Sequence, residues 1–222
     1  FIFLEGQPML ALTKPWIDIG IQSNQTQKMT LFWSKIIGLR CEEILDVYQG
    51  VQQHRYRLQG GILKLNLLED LLPSAPRTGY RKIIVADPTV DEIEESIDPD
   101  GTQCHRVPCN SLGGYELGLE IAVTDSKKFA SFFVDMLGLE QLKDGSFACG
   151  KTRIFIRQSS DAVSTADDHG PGIRYITLQV SDLNTLHAAL LAKGVTEHKP
   201  PTQWNEMSYI SFIRDPDNNL IE

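Results

Sequence analysis

Hydrophobic and polar residues alternate in the segment WIDIGIQ near the start of the chain. Ile17, Ile19 and Ile21 lie on one face of the predicted strand, and Asp18 and Gly20 lie on the other, because successive side chains of a strand point to opposite faces. The following segment, MTLFWSKIIGLR, has apolar residues three and four positions apart, which is the spacing of one helix face. The pattern predicts a strand followed by a helix.

This strand and helix pair recurs about one hundred residues further along the chain. LGLEIAV alternates in the same way, and FASFFVDMLGLE has the same helical spacing. Both predicted helices end in Gly-Leu, so that Gly38 and Gly138 suit the left-handed C-terminal cap of a helix. A third copy, IRYITLQVSDLNTLHAALLAKG, follows near the end of the chain. Asp125 and Asp182 are placed to cap the second and third of these helices at their N-termini.

Further strands follow each helix of this repeat. The segments EEILDVY, HRYRLQ and GILKLNLLE alternate after the first helix, so the unit is predicted to contain one strand, one helix and three strands. The segment GYRKIIVADPTVDEIEESIDPDG has a strand and a closing DPDG turn but too little length for a full helix. We interpret it as a shortened second unit. The prediction is an α+β fold with four βαβββ units.

Tracts rich in turn-forming residues, such as PSAPRTG and SSDAVSTADDHGPG, separate the units as loops or linkers. We expect an N-terminal extension over residues 1–14, a first half with two units over residues 15–110, and a second half with two units over residues 111–222. The second unit of the first half is the shortened one.

Composition narrows the class of protein. The 222 residues are 41% hydrophobic, which is enough to fill a core. The formal net charge is -8, without the clustered Lys and Arg that a nucleic-acid partner requires. No apolar stretch approaches the roughly 20 residues of a membrane span, so we expect no membrane partner. The cysteines lack the paired CxxC spacing of a zinc site, and we expect free thiols in a cytoplasmic protein.

The βαβββ unit, the helix ending in Gly-Leu and the DPDNNLIE segment together resemble the vicinal oxygen chelate superfamily. That superfamily includes glyoxalase I, bleomycin resistance proteins and extradiol dioxygenases, and the resemblance extends from about Pro15 to Glu222. It implies that the units pair into two curled mixed sheets with helices on the outer face. The concave side of each sheet, the cup, would hold a small organic ligand or a divalent metal.

The resemblance also implies positions for metal ligands. In the family they lie on the first strand of a unit, seven residues before the helix-capping position, and on the last strand, seven residues after the first Asp of the DPDG-like turn. Asp18, His105 and Glu222 are the candidate metal ligands, because divalent metals accept His and carboxylate groups. The remaining implied positions, the last two of which are open by one or two residues, are Tyr80, Gly118, Tyr175, Asn66 and Phe155.

A catalytic metal requires three or four protein ligands. We expect consecutive units to share a cup, so that the first half offers Asp18 and His105 and the second half offers only Glu222. The resemblance then favours a protein that binds a small organic molecule in its cup without a complete catalytic metal site, as bleomycin-resistance-like members do. The residues expected to line the cup are Tyr80, Tyr175, Thr177, Gln179 and Glu120.

The alternative is an enzyme that uses the same cup, either a metal-dependent lyase or isomerase or a ring-cleaving dioxygenase. It would hold one divalent ion, such as iron, manganese, zinc or nickel, and Glu120 would be its candidate general base. His105 as an exposed residue beside a linker, and Glu222 as an exposed strand residue, stay open as alternatives. Paired units can also be exchanged between two chains, so a homodimer stays open as well.

Overall fold

The computed structural model describes residues 10–164, 167–205 and 208–222, so residues 1–9 of the expected extension lie outside the described part. The first unit contains β1 (Asp18–Ser23), α1 (Thr26–Leu31), β2 (Cys41–Tyr48), β3 (Val51–Leu58) and β4 (Gly61–Leu68). The second contains β5 (Tyr80–Ala86), β6 (Glu94–Ile97) and β7 (Gln103–Val107). The third contains β8 (Leu117–Val123), α2 (Ser126–Ser131), β9 (Glu140–Gln141), β10 (Phe147–Cys149) and β11 (Thr152–Gln158). The fourth contains β12 (Gly172–Thr177), α3 (Leu183–Ala192), β13 (Thr196–Gln203), β14 (Tyr209–Arg214) and β15 (Leu220–Ile221).

The predicted helices form, but two of them widen at their C-terminal ends. α1 and α2 each continue into a π-helical turn, over Phe32–Ile36 and Phe132–Met136. Gly38 and Gly138 follow with the positive φ predicted for a helix end. A short 3-10 helix covers Cys109–Leu112. In the second unit, residues 87–93 form a loop where the other units have a helix, which confirms that this unit is shortened.

The strands form two mixed sheets, as the α+β prediction requires. The eight-stranded sheet has the order β13-β14-β15-β12-β1-β4-β3-β2, and the seven-stranded sheet has the order β6-β7-β5-β8-β11-β10-β9. The first unit therefore shares a sheet with the fourth, and the second with the third. α1, α2 and α3 cover one face of the sheets, and we call the opposite face of each sheet its open face. The 3-10 helix packs on the open face of the seven-stranded sheet, where Leu112 contacts a cluster that includes Ile84 and Phe155.

The expectation that consecutive units share a cup is wrong. β1 pairs antiparallel with β12 and β5 pairs antiparallel with β8, so each sheet joins units from both sequence halves. The physical reason is that every first strand carries the same alternation and offers the same free edge, so the sequence pattern cannot select its partner. The boundary near residue 110 therefore does not separate the two sheets, and it stays a prediction about where the sequence repeat divides.

The larger of two hydrophobic clusters lies on the helix side of the two sheets. Ile17, Ile19 and Ile21 are at most 1% exposed, as the alternation predicted, and Trp33 and Phe133 contribute large buried rings from the π-helical turns. Burial of such side chains stabilises the fold by about 1.5–3 kcal/mol each. Among the described residues, the cysteines are free thiols, two of them buried. No helix within the described ranges has the length and apolar character needed to cross a membrane.

The DPDNN segment forms the predicted turn and also ties the units together. Asp215 Oδ1 accepts the backbone N–H groups of Asp217 and Asn219, both at 2.9 Å. Burial raises the pKa of Asp215 to about 7. On its outer side the turn reaches the second unit, because Asn219 Oδ1 accepts the N–H of Gly79 at 2.7 Å and the hydroxyl of Tyr80 donates to the carbonyl of Leu220 at 3.0 Å.

Candidate functional site

The centre of the eight-stranded open face is the junction of β1 and β12. Their antiparallel register places Asp18 opposite Thr177 and Gly20 opposite Tyr175. The Tyr175 ring lies directly over Gly20, where an added Cβ atom would come within 2.2 Å of the ring. Glycine is required here because any side chain would displace the tyrosine.

The two strands that flank β1 and β12 each add one residue to this centre. β4 runs parallel to β1 with Lys64 beside Gly20, and β15 runs parallel to β12 with Leu220 beside Tyr175. Glu222, two residues further, therefore lies beside Thr177. The antiparallel register of β1 and β12 relates the first and fourth units by a local two-fold axis. Under this two-fold relation, Lys64 occupies the position in the first unit that Glu222 occupies in the fourth. The sequence-based assignment of Asn66 to that position is wrong by two residues.

Lys64 and Glu222 meet across the centre of the sheet. Lys64 Nζ donates to Glu222 Oε2 at 2.7 Å and to Thr177 Oγ1 at 2.8 Å, and it lies 5.5 Å from the centre of the Tyr175 ring. The Thr177 hydroxyl also donates to Glu222 Oε2, at 2.5 Å. These are charge-assisted hydrogen bonds between largely buried groups, so the pair is strongly held.

The carboxylate of Asp18 is paired with a different lysine, Lys14. Its Oδ1 accepts from Lys14 Nζ at 2.6 Å and from the N–H of Ile62 at 2.8 Å, and its Oδ2 accepts from Gln179 Nε2 at 3.1 Å. The Asp18 side chain is fully buried. Asp18 and Glu222 are thus each paired with a lysine of the same chain.

An amide pair and an aromatic rim complete the face. Gln53 Nε2 donates to Asn66 Oδ1 at 2.8 Å, and Asn66 Nδ2 lies 3.3 Å from the Tyr175 hydroxyl. Tyr48, at the end of β2, contacts Trp204, just after β13, with ring centres 5.8 Å apart. Because β2 and β13 are the two edges of this sheet, the contact shows that the sheet curls until its edges meet. We call this open face the eight-stranded cup.

Burial and the negative charge of Glu222 change the pKa of two tyrosine hydroxyls in the cup. Burial, and then the negative charge of Glu222, raises the pKa of Tyr175, and the same two causes raise that of Tyr48. Both side chains are therefore neutral hydroxyls at neutral pH, able to donate a hydrogen bond. The Tyr175 ring also packs edge-on against Phe212, with centres 5.9 Å apart.

The seven-stranded open face carries different chemistry at the equivalent positions. There Ile84 lies opposite Gly118, Lys82 lies opposite Glu120, Phe155 lies beside Glu120, and His105 lies beside Ile84. The two-fold relation thus gives a set with one good metal ligand: Lys82, His105, Gly118 and Phe155.

Charged groups of this second face are paired with one another. Glu120 accepts from Lys82 Nζ at 3.2 Å and from Arg157 Nε at 3.4 Å, so both its oxygens are engaged by cations. This pairing argues against Glu120 as a general base. Burial, together with the positive charge of Lys82, lowers the pKa of His105, while Glu95 and Glu120 act in the opposite direction.

Tyr80 does not lie on either open face. A register shift between Tyr80 and Lys82 turns the tyrosine towards the core, where it donates to the carbonyl of Leu220 and borders a small cleft. Burial raises its pKa strongly. The sequence-based placement of Tyr80 in a cup is wrong because alternation cannot reveal an irregularity within a strand.

The proposed pair of metal ligands, Asp18 and His105, is not brought together. Asp18 lies in the eight-stranded sheet and His105 in the seven-stranded sheet. The donors that do share the cup, Asp18 and Glu222, are each paired with an ammonium group. Over residues 10–164, 167–205 and 208–222, no group of three or more His, Cys, Asp or Glu side chains is arranged to hold a metal ion.

The structure does gather most of the remaining predicted residues. Asp18, Tyr175, Thr177, Gln179 and Glu222 converge on the eight-stranded cup through the contacts above, and their binding role stays a prediction. Sequence reasoning missed Lys64, although the signal was present. In the strand GILKLNLL, lysine interrupts an apolar run on the face that also carries Asn66.

The comparisons with known proteins agree with this architecture. The family model of the Glyoxalase/Bleomycin resistance protein/Dioxygenase superfamily matches residues 117–222. Among curated proteins, no relative matches the chain by sequence.

Solved structures extend the likeness over the whole chain. Glyoxalase I from Zea mays superposes with a TM-score of 0.72 at 12% identity, covering 92% of this chain and 89% of that one. The cppA protein from Streptococcus pneumoniae TIGR4 gives a TM-score of 0.60 at 11% identity, covering 95% of this chain and 97% of that one. At such identities the likeness shows the fold alone. Residues 117–222 thus match the Glyoxalase/Bleomycin resistance protein/Dioxygenase superfamily, and the whole chain shares the fold of glyoxalase I.

Proposed function

We propose that the protein binds a small organic molecule in the eight-stranded cup, with the ammonium group of Lys64 in place of a divalent metal. The observation that supports this most directly is the Lys64–Glu222 ion pair at 2.7 Å, which joins two of the four ligand positions of the cup. A lysine that occupies one ligand position consumes the carboxylate at another. The site is complete in charge without a metal.

Electrostatics argues against a metal beside this lysine. Two like unit charges at roughly 4 Å repel by about 4 kcal/mol near a protein surface, and a divalent ion doubles that cost. The ion would also have to displace Lys14 from Asp18 and Lys64 from Glu222. A metal-dependent lyase, isomerase or dioxygenase therefore has less support than a metal-independent binding site.

The ligand we propose is a planar aromatic molecule with polar substituents. Tyr175, Phe212, Tyr48 and Trp204 supply ring faces and edges, which suit a flat ligand. The Tyr175 hydroxyl, Lys64 and the amides of the cup floor supply hydrogen bonds that fix its orientation. Lys64 is only 9% exposed, so the ligand enters by separating Tyr48 from Trp204.

Titration calorimetry with 4-hydroxybenzoate, 4-hydroxybenzamide and 2-naphthol, in buffer containing EDTA, tests this proposal. We expect at least one of them to bind, and Phe212→Ala and Lys64→Met to weaken it tenfold or more. Phe155→Ala removes a comparable ring from the seven-stranded face and is the matched control, which we expect to bind normally. Absence of binding at millimolar concentration, or binding that appears only when a divalent metal replaces EDTA, would contradict the proposal.

A further inference from the structure

A second site lies on the opposite side of the same sheet. α3 packs over β13 and β14, and a narrow cavity, partly open to solvent, remains between this helix and the sheet. Its wall is aliphatic, formed by Leu, Ile and Val side chains of α3 and the sheet, and Leu10 and Leu137 also line it.

One end of the cavity is polar. His187 of α3 and Ser211 of β14 both line it, and both are buried. His187 Nδ1 lies 3.1 Å from Ser211 Oγ, and His187 Nε2 lies 2.7 Å from Glu197 Oε2. A small polar pair at the end of an aliphatic cavity is suited to a ligand with a long apolar part and one polar head.

The hydrogen bonds at this end determine which head group fits. The Glu197 carboxylate can only accept, so Nε2 of a neutral His187 carries the proton and Nδ1 is an acceptor. Ser211 then donates its hydroxyl proton to Nδ1, and the lone pairs of Ser211 Oγ stay available. The complementary head group is therefore a hydrogen-bond donor.

We propose that this cavity binds an aliphatic alcohol, or a similar alkyl chain that ends in a hydroxyl group, with the hydroxyl donating to Ser211. A carboxylate head is disfavoured because it has no proton to donate and would be buried near Glu197. An aromatic ligand is disfavoured by the aliphatic wall. This site lies on the helix side of the sheet and the eight-stranded cup on the opposite side, and Glu222, which follows β15, borders both.

Binding of octan-1-ol to the whole chain, followed by titration calorimetry, tests the inference. We expect saturable binding that weakens about fivefold in Ser211→Ala, the value of one hydrogen bond. Leu183→Trp fills the cavity from α3 and should abolish binding. Ala188→Trp places the same indole on an exposed position of α3 outside the cavity and should bind octan-1-ol as the wild type does.

Three results would overturn it: no saturable binding of octan-1-ol, equal affinity in Leu183→Trp, or octanoate binding as tightly as octan-1-ol. Competition separates this site from the cup. Octan-1-ol should not displace 4-hydroxybenzoate or 2-naphthol, and Ser211→Ala should leave the affinity for those compounds unchanged. The experiments can therefore contradict the proposal for one site and still support the proposal for the other.

Discussion

The two open faces of the molecule share one backbone plan but differ in chemistry. At equivalent positions the eight-stranded cup has two carboxylates, a lysine and a tyrosine, whereas the seven-stranded face has a lysine, a histidine, a glycine and a phenylalanine. In the first, each carboxylate is paired with a lysine. In the second, the lysine is paired with Glu120, which lies outside the equivalent set. The comparison teaches that this fold conserves the geometry of four converging positions while the groups at those positions change freely.

The largest difference we expect concerns the two lysines. Lys64→Met leaves Glu222 without a cation in a largely buried place and should lower the free energy of unfolding by about 3 kcal/mol. Lys82→Met should cost less than about 1 kcal/mol, because Glu120 keeps Arg157. Urea unfolding of both variants measures the difference. In the background Glu222→Gln, Lys64→Met should become nearly neutral, and equal costs for the two lysines would contradict the comparison.

The DPDG turn of the second unit and the DPDNN turn of the fourth unit differ in how completely their first aspartate is hydrogen-bonded. Asp98 Oδ1 accepts the backbone N–H groups of Asp100 and Thr102, but its buried Oδ2 has no hydrogen bond to any residue that the structure describes. Burial raises the pKa of Asp98 to about 6. In Asp215, the second oxygen accepts from Asn219 Nδ2 at 2.7 Å.

This turn predicts a pH dependence. Because the folded pKa of Asp98 lies above its unfolded value, its contribution to stability is complete below about pH 4 and is lost as the pH rises through 6. The stability of the wild type relative to Asp98→Asn should therefore fall by about 2–3 kcal/mol between pH 4 and pH 7. Unfolding measured at both pH values tests this, and a pH-independent difference would show that Asp98 is ionised without penalty.

The smallest effect concerns the glycines at the two sheet centres. Gly20→Ala would place Cβ 2.2 Å from the Tyr175 ring, whereas Gly118→Ala would place it 3.0 Å from Ile84. We expect costs of about 2 and less than about 1 kcal/mol. Thermal unfolding compares them. Tyr175→Ala should rescue Gly20→Ala, and failure of that rescue would mean that the ring does not cause the cost.

The sequence predicted those parts of the fold that depend on local pattern. The faces of β1, β8 and β12, the caps at Asp125 and Asp182 and the DPDNN turn all follow from residues close together in the chain. The pairing of units did not, because it depends on contacts between strands far apart in sequence. The same dependence on distant strand contacts explains why the candidate site was only partly predicted.

Asp18 and Glu222 were recognised as candidates, but their assignment to separate halves hid the fact that they share a cup with Lys64. A single register error of two residues, Asn66 for Lys64, concealed the lysine that distinguishes this cup. The shift beside Tyr80 misplaced a further residue. Each error arose where position depended on strand pairing rather than on alternation.

The central claim is that Lys64 stands where a metal ligand would otherwise act. Its most direct test is the metal content of wild type and Lys64→His, each purified without chelator or affinity tag, incubated with iron, manganese, zinc or nickel, and analysed by elemental mass spectrometry. The account predicts substoichiometric metal in the wild type and near one ion per chain in Lys64→His, where Asp18, the new imidazole and Glu222 supply three donors. One ion per chain in the wild type, lost in Glu222→Gln, would contradict it.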